Sequence, residues 1–186
     1  NGEIPHSQDR IVFKPSPEEI AEVSLEHIKM VRKSVVSFGQ GCEGEPLLAA
    51  GVIMPAIEKI RSVTGRGTIN MNTNGSKPNV LKKLFKAGLD SIRISINSVR
   101  KDCYDAYFRP KSYKFSDVKQ SIEIALQQKK FVSINYLNCP GFTDTPEEVE
   151  ALTDFLKQYP INMIQWRNLN FDPVRYWNVM SSAAQH

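Results

Sequence analysis

Five short strand patterns, about thirty residues apart and each separated from the next by a helical pattern, constrain this chain more than any other feature. They fall at Val35–Phe38 and at residues 68–73, 91–97, 131–137 and 161–167. Strict alternation of strands and helices argues for a parallel sheet with right-handed crossovers. The clearest strand is SIRISIN, in which Ile92, Ile94 and Ile96 alternate with Arg93, Ser95 and Asn97. In a parallel barrel the helices pack outside. The isoleucines are therefore expected to point out, and Ser95 and Asn97 to face the interior near the top. Every strand exit is polar: Gly41 to Glu45, Thr73-Asn74, Ser95 to Ser98, Asn138 to Asp144 and Asn168 to Asp172. Those exits lie at one end and converge only if the sheet curves. An incomplete barrel is thus favoured over a flat doubly wound sheet.

The intervening helices carry recognisable punctuation. A helix is expected over residues 16–33, capped by Ser16, with Pro17 in its first turn and Glu19 completing a capping box. Its inner face reads Ile20, Val23, Ser24, His27, Ile28 and Val31, which makes His27 a core or boundary residue rather than a ligand. Residues 47–63 form a second helix with Leu48, Val52, Ala56, Ile60 and Val63 on one stripe, kinked or broken at Pro55. Ser76 is expected to cap the next, which carries Leu81, Leu84 and Phe85 and ends at Gly88. A short patch follows at Asp102 to Phe108, and Ser116 caps a helix with Val118, Ile122, Ala125 and Leu126. Thr145, Pro146 and Glu148 repeat the capping-box pattern ahead of Val149, Leu152, Phe155 and Leu156. Arg175, Tyr176 and Trp177 look like the start of a further helix that stops early.

At 186 residues the chain suits one domain with a sizeable core. Its net charge of +4 is mild and its basic residues are scattered, which argues against a nucleic-acid groove. No apolar run approaches the ~20 residues of a membrane span, and no signal peptide is visible. Cys42, Cys103 and Cys139 are odd in number and widely spaced, which argues for a reducing, cytoplasmic setting and against a disulfide framework. The chain begins at Asn1 without a methionine. The polar stretch to Gln8 reads either as a start in mid-protein or as a processed or disordered terminus.

The chemistry concentrates at residues 37–48, SFGQGCEGEPLL, where an apolar run meets three glycines within six residues and then a helical pattern. Such a loop exposes main chain to a ligand, and it sits where α/β proteins keep their ligands. Gly44-Glu45-Pro46-Leu47-Leu48 resembles the GGEP motif of the radical S-adenosylmethionine superfamily. Asn72-Thr73-Asn74-Gly75 is similar to that superfamily's third strand, and Ser95-Ile96-Asn97 to its fourth. The resemblance runs from about Ser34 to Pro173, with each motif at a strand exit.

The resemblance implies a partial, TIM-like (β/α)6 barrel, here lacking its first strand, so that the five strands stand for the second to the sixth. It implies a [4Fe–4S] cluster that chelates S-adenosylmethionine, whose reductive cleavage yields a 5′-deoxyadenosyl radical that abstracts a substrate hydrogen. It implies an electron donor such as flavodoxin or ferredoxin, and a small-molecule, peptide or protein substrate. By the same resemblance the backbone at Glu43 and Gly44 and the side chain of Glu45 meet the methionyl ammonium. Thr73, beside Asn74, meets the methionyl carboxylate, and Ser95 and Asn97 meet the carboxylate or the ribose. Adenine falls to the last two exits, Leu137, Asn138, Arg167 and Asn168, while Arg109 faces the carboxylate or the substrate.

Two departures stand out. The motif's first glycine is Glu43 here, and the three cluster cysteines, typically C-x3-C-x2-C, are absent. The remaining cysteines are too far apart in sequence to converge on one cluster locally. The chain is therefore expected to be a superfamily core fragment whose cluster ligands lie upstream of Asn1, inactive alone and open at one sheet edge to self-association. Ser95 and Asn97 also have a plain reading as caps of the sheet end, and Glu45 as a carboxylate favoured by a helix N-terminus. The rival functions are another barrel enzyme using a lysine or a metal, and a non-catalytic module that binds a nucleotide or a protein.

Overall fold

The computed structural model describes residues 13–39, 44–169 and 171–184. Strands β1 (Val35–Phe38), β2 (Thr68–Thr73), β3 (Ser91–Ile96), β4 (Phe131–Asn138) and β5 (Met163–Asn168) form one parallel sheet. Their order across the sheet is their order along the chain. With crossovers of one hand, that order keeps the connecting helices on one face, whereas a doubly wound sheet reverses its strand order partway. The expected incomplete α/β barrel is the observed architecture.

Seven helices accompany the strands among the described residues: α1 (Pro17–Met30), α2 (Ala50–Val63), α3 (Pro78–Ala87), α4 (Lys101–Phe108), α5 (Phe115–Gln127), α6 (Pro146–Gln158) and α7 (Pro173–Ala183). Neighbours pack in sequence, α1 on α2, α2 on α3 and α3 on α5, while α4 rests on α7. The core lies between these helices and the convex face of the sheet. There Ile92, Ile94 and Ile96 are buried together with Ile57, Leu84 and Ile122. Each such side chain contributes about 1.5–3 kcal/mol by leaving water.

Local signals fared unevenly. Ser16 caps α1 as expected: its hydroxyl accepts from Glu19 N at 3.2 Å, and Glu19 returns the bond at 2.8 Å. The helix ends at Met30, however, and its buried stripe is Ala21, Ser24 and Ile28. Val23, His27 and Val31 are exposed, because α1 meets α2 and β1 along a narrower line than the apolar pattern suggests. The second helix opens as a 3-10 turn, Pro46–Ala49, then runs through Pro55 without a break. It buries Ile53, Ala56, Ile57 and Ile60, leaving Leu48 and Val63 exposed. Ser76 and Ser116 do not cap; α3 starts after Lys77 and α5 after Lys114. Thr145 caps α6, but Glu148 turns inward instead of closing the box, and Val149 is exposed. The last strand starts two residues later than the sequence pattern, and α7 runs eleven residues from an Asp172 cap.

At the strand-entry end Arg61 of α2 acts as a clamp that the sequence did not announce. It donates to the carbonyls of Gly88 at 3.1 Å, Arg66 at 2.9 Å and Gly67 at 3.1 Å, and pairs with Asp90. Asp90 also accepts Ile69 N at 2.7 Å, so one ion pair ties α2 to the entries of β2 and β3.

The concave face is polar in its middle and upper part and apolar at points of its strand-entry end, where Val35, Phe131 and Met163 lie. Register places Ser37, Asn70, Ser91 and Phe131 on one rung, Asn72, Arg93, Ser133 and Met163 on the next, and Ser95, Asn135 and Gln165 above them. Among the described residues β1 and β5 each pair on one side only.

Candidate functional site

The site is built where β1, β2 and β3 end. Gly39 leaves β1 with φ +79°, and a Cβ there would meet the Asn72 carbonyl oxygen at 2.1 Å. Only glycine lets the chain cross β2 so closely. The loop that follows, with Glu43 and Cys42, lies outside the described residues. The chain resumes at Gly44, φ +91°.

Glu45 then binds two exits together. Its Oε1 accepts Leu47 N at 3.1 Å, capping the 3-10 turn, and also accepts the Thr73 hydroxyl. Its Oε2 accepts Asn74 N at 2.8 Å. Thr73 Oγ1 accepts Gly75 N at 3.1 Å, and Asn74 Oδ1 accepts Ser76 N at 2.9 Å, so the exit of β2 is a closed hydrogen-bonded turn. A carboxylate presents about four acceptor directions. Three are filled here, which leaves Oε2 one direction for a cationic donor. The helix-terminus reading of Glu45 and the ligand reading are therefore compatible.

Two cavities adjoin this clasp on the concave side. One, of about 460 Å³, is lined by Gly44, Glu45, Thr73, Asn74, Ser95 and Arg109 among others. The other, of about 720 Å³, is lined by Ser95, Tyr107, Asn135, Trp166, Arg167 and Asn168 among others. Ser95 belongs to both, so its hydroxyl sits at their junction. Arg109 ends α4 in the left-handed region, φ 48°, and is exposed at the rim. Asn135 Oδ1 is buried on the wall of the larger cavity with no hydrogen-bond partner.

Asn97 and Asn138 stand apart from this assembly. β3 ends at Ile96 and the chain bends at Asn97, so inward–outward alternation stops one residue short. The Asn97 side chain is fully buried and donates to Cys103 O at 3.1 Å and Met180 Sδ at 3.5 Å, beneath α4 and α7. Asn138 closes β4 opposite Asn168, its carbonyl accepting Leu169 N at 3.3 Å, and it lines neither cavity.

A second carboxylate escaped the sequence reading. Glu148 is 1% exposed and accepts the Ser98 hydroxyl at 2.9 Å and the Tyr136 hydroxyl at 3.2 Å, with Arg100 Nη1 at 3.5 Å. Burial pushes its pKa up, and those donors pull part of the way back. The only hint in the sequence was a capping box that also tolerated an inward rotamer.

Cys103 and Cys139 are buried free thiols. Burial pushes both pKa values up, and the nearby Glu148 charge pushes Cys103 further, so the thiolate that ligates iron is disfavoured. Among the described residues no three His, Cys, Asp or Glu side chains gather as a metal site. The described residues therefore do not fit a [4Fe–4S] cluster. They do fit a small polar ligand with a cationic amine. No helix among them is long and apolar enough to cross a membrane.

Comparison with known proteins gives a family. Residues 4–156 match the Radical SAM superfamily model. The chain is 30% identical over 122 residues to a GTP 3′,8-cyclase of Heliobacterium modesticaldum, covering 64% of this chain and 36% of the relative. It is 30% identical over 130 residues to a dual-specificity RNA methyltransferase RlmN of Caulobacter vibrioides, covering 65% and 32%. The chain thus spans about a third of the length of these curated relatives. The solved structure of native anSMEcpe with bound AdoMet superposes with a TM-score of 0.59 at 16% identity, over 88% of this chain and 49% of that one.

Proposed function

The chain belongs to the radical SAM superfamily, a superfamily of enzymes, and from that premise we propose that the shelf from Glu45 to Asn168 is its S-adenosylmethionine site. The observation that carries this is the Glu45 clasp. A carboxylate with one free acceptor direction stands at the mouth of a cavity of mixed polar and apolar lining, beside two hydroxyls and a closed amide turn. Glu45 Oε2 and the Gly44 backbone receive the methionyl ammonium. Ser95 donates to the carboxylate, and Arg109 approaches the carboxylate from the rim. Thr73 Oγ1, whose proton is held by Glu45, offers its remaining lone pair to a ligand N–H or O–H. Arg167 and Asn168 border the adenine side of the larger cavity, against the edge of Trp166. Bound there, S-adenosylmethionine supplies radical chemistry through reductive cleavage of its sulfonium.

The protein's part is to bind, orient and partly dehydrate. Three or four hydrogen bonds at about 0.5–1.5 kcal/mol each stand against an association cost of roughly 4–15 kcal/mol. Binding by these residues without iron is thus weak, at best in the range of tens of millimolar (about 2 kcal/mol net), and catalysis needs cluster ligands beyond the described residues and an electron donor such as flavodoxin or ferredoxin. The substrate is a small molecule, a peptide, a protein or a nucleic acid. Scattered basic residues argue against the last, but a matched relative is named an RNA methyltransferase, so RNA stays among the candidates.

The test is an NMR titration of this chain with S-adenosylmethionine. Saturable shifts at the Thr73, Asn74 and Ser95 amides are expected, weakened about fivefold in Thr73→Val, on the scale of one lost hydrogen bond. Shifts confined to other surfaces, or submillimolar affinity untouched by Thr73→Val, would overturn the assignment.

A further inference from the structure

Below the cosubstrate shelf, the middle of the concave face holds polar groups that the fold itself does not satisfy. Arg93 Nε, Asn135 Oδ1 and Gln165 Oε1 are buried without hydrogen-bond partners. They are not scattered. Asn135 and Gln165 face each other across β4 and β5, and Arg93 lies one rung lower on β3, two residues before Ser95. All three belong to the same face as the cavities above and as a third cavity of about 560 Å³, which Arg93 and Ser133 line from below.

The charge balance of this lumen is one-sided. Arg93 lines it beside Asp90, and the exposed Arg109, Lys111 and Arg167 add positive charge at the rim of the cavities above, against Glu45. Asp90 is neutralised by Arg61 at the strand-entry end, and Glu45 is held by three protein donors. Arg93 makes no ion pair among the described residues. A guanidinium turned into a partly dehydrated cavity without a counter-charge is costly unless something anionic completes it. Its planar fork suits a carboxylate or a phosphate, which accept two parallel hydrogen bonds. The neighbouring amides, each able to present oxygen or NH2 after a flip, add directional contacts to the group next to the anion.

We propose that Arg93, Asn135 and Gln165 form the substrate-recognition floor of the barrel, selecting a ligand that carries a carboxylate or phosphate flanked by hydrogen-bonding groups. This rests on the shelf above being the cosubstrate site, since it assigns the space beneath that shelf to the second reactant. It makes Arg93 the specificity-determining residue.

The probes are sodium phosphate and sodium malonate, titrated separately into the isotope-labelled chain at constant ionic strength, with sodium chloride as the matched control. The Arg93 Nε–H signal, identified by its loss in Arg93→Lys, and the Asn135 side-chain amide are followed. A saturable shift of both is expected, with apparent affinity read at Asn135 at least tenfold weaker in Arg93→Lys. Gln165→Leu, which leaves the guanidinium in place, should weaken it about threefold and carries the comparison if Arg93→Lys does not fold. A response to phosphate alone identifies a phosphoryl group, and to malonate alone a carboxylate. No saturable shift in the wild type, or equal affinity in the variants, overturns the proposal. S-adenosylmethionine binding is read at the Thr73 and Asn74 amides, so failure of the floor and failure of the shelf are seen separately.

Discussion

The two faces of β3 differ by one residue of offset and by almost everything else. Ile92, Ile94 and Ile96 look out into a helix-covered core and are at most 1% exposed. Arg93 and Ser95 look into a polar lumen and are half-buried. The convex face is closed by packing. The concave face is only partly closed by its own hydrogen bonds, such as Ser91 Oγ to Asn70 Oδ1 at 2.8 Å, and keeps orphaned groups higher up. A fold stabilised from one side of its sheet can leave the other side for chemistry. Stability and function are then written on alternate residues of the same strand.

That contrast can be broken most forcefully from the convex side. Ile94→Ala should cost about 2–5 kcal/mol, the transfer loss plus the cavity left among packed helices. Urea denaturation reads this directly. A loss comparable to that of a concave-face substitution would mean the core does not lie where the sheet and helices put it.

A smaller effect is expected from Glu148, the carboxylate packed behind the strand exits rather than in front of them. Its folded pKa lies above its ordinary value of 4.5, chiefly through burial, so the native state holds its proton more tightly than the unfolded chain does. Its contribution to stability is thus greatest below pH 4.5 and falls as pH rises from there through the raised folded pKa. Glu148→Gln should remove that slope, so the variant gains on the wild type as pH climbs over this window. Urea midpoints at a series of pH values decide it. A wild type that gains on the variant instead would place the Glu148 pKa below the ordinary range.

The smallest change in stability belongs to Ser95→Ala, within about 0.5 kcal/mol, as for surface substitutions away from packed features. Its S-adenosylmethionine affinity should fall about 2- to 12-fold, the worth of one hydrogen bond. Stability loss without affinity loss would make Ser95 a sheet cap and nothing more.

Much of the fold was legible because period-2 alternation and helix punctuation are local. Thr68–Thr73 falls where the sequence placed it, and Ser16 with Glu19 forms its box. The grouping of residues was legible where a motif sits on regular structure: Thr73, Asn74 and Ser95 line one cavity with Glu45. Legibility failed at the first irregular residue. Asn97 obeys strand parity in the sequence but lies past the last strand residue, and a bend turns it under α4 and α7. Ser76 and Ser116 have the right side chain for a cap, yet Lys77 and Lys114 precede the first helical residues. The clamp of Arg61 and the inward turn of Glu148 carried no local signal, because their partners Asp90 and Ser98 are 29 and 50 residues away in sequence.

By itself the sequence determined the order of elements, the parallel sheet and the end at which the polar strand exits gather, since each follows from local periodicity, handedness of crossovers and chain order. Only the tertiary structure decided which polar residues meet. Whether Glu45 caps a turn or grips a neighbouring strand, whether Glu148 points to water or inward, and whether Arg93 finds a counter-charge all depend on distances between strands far apart in the chain. Hydrogen bonds and ion pairs act over a few ångströms, and no pattern of spacing along the chain encodes those separations.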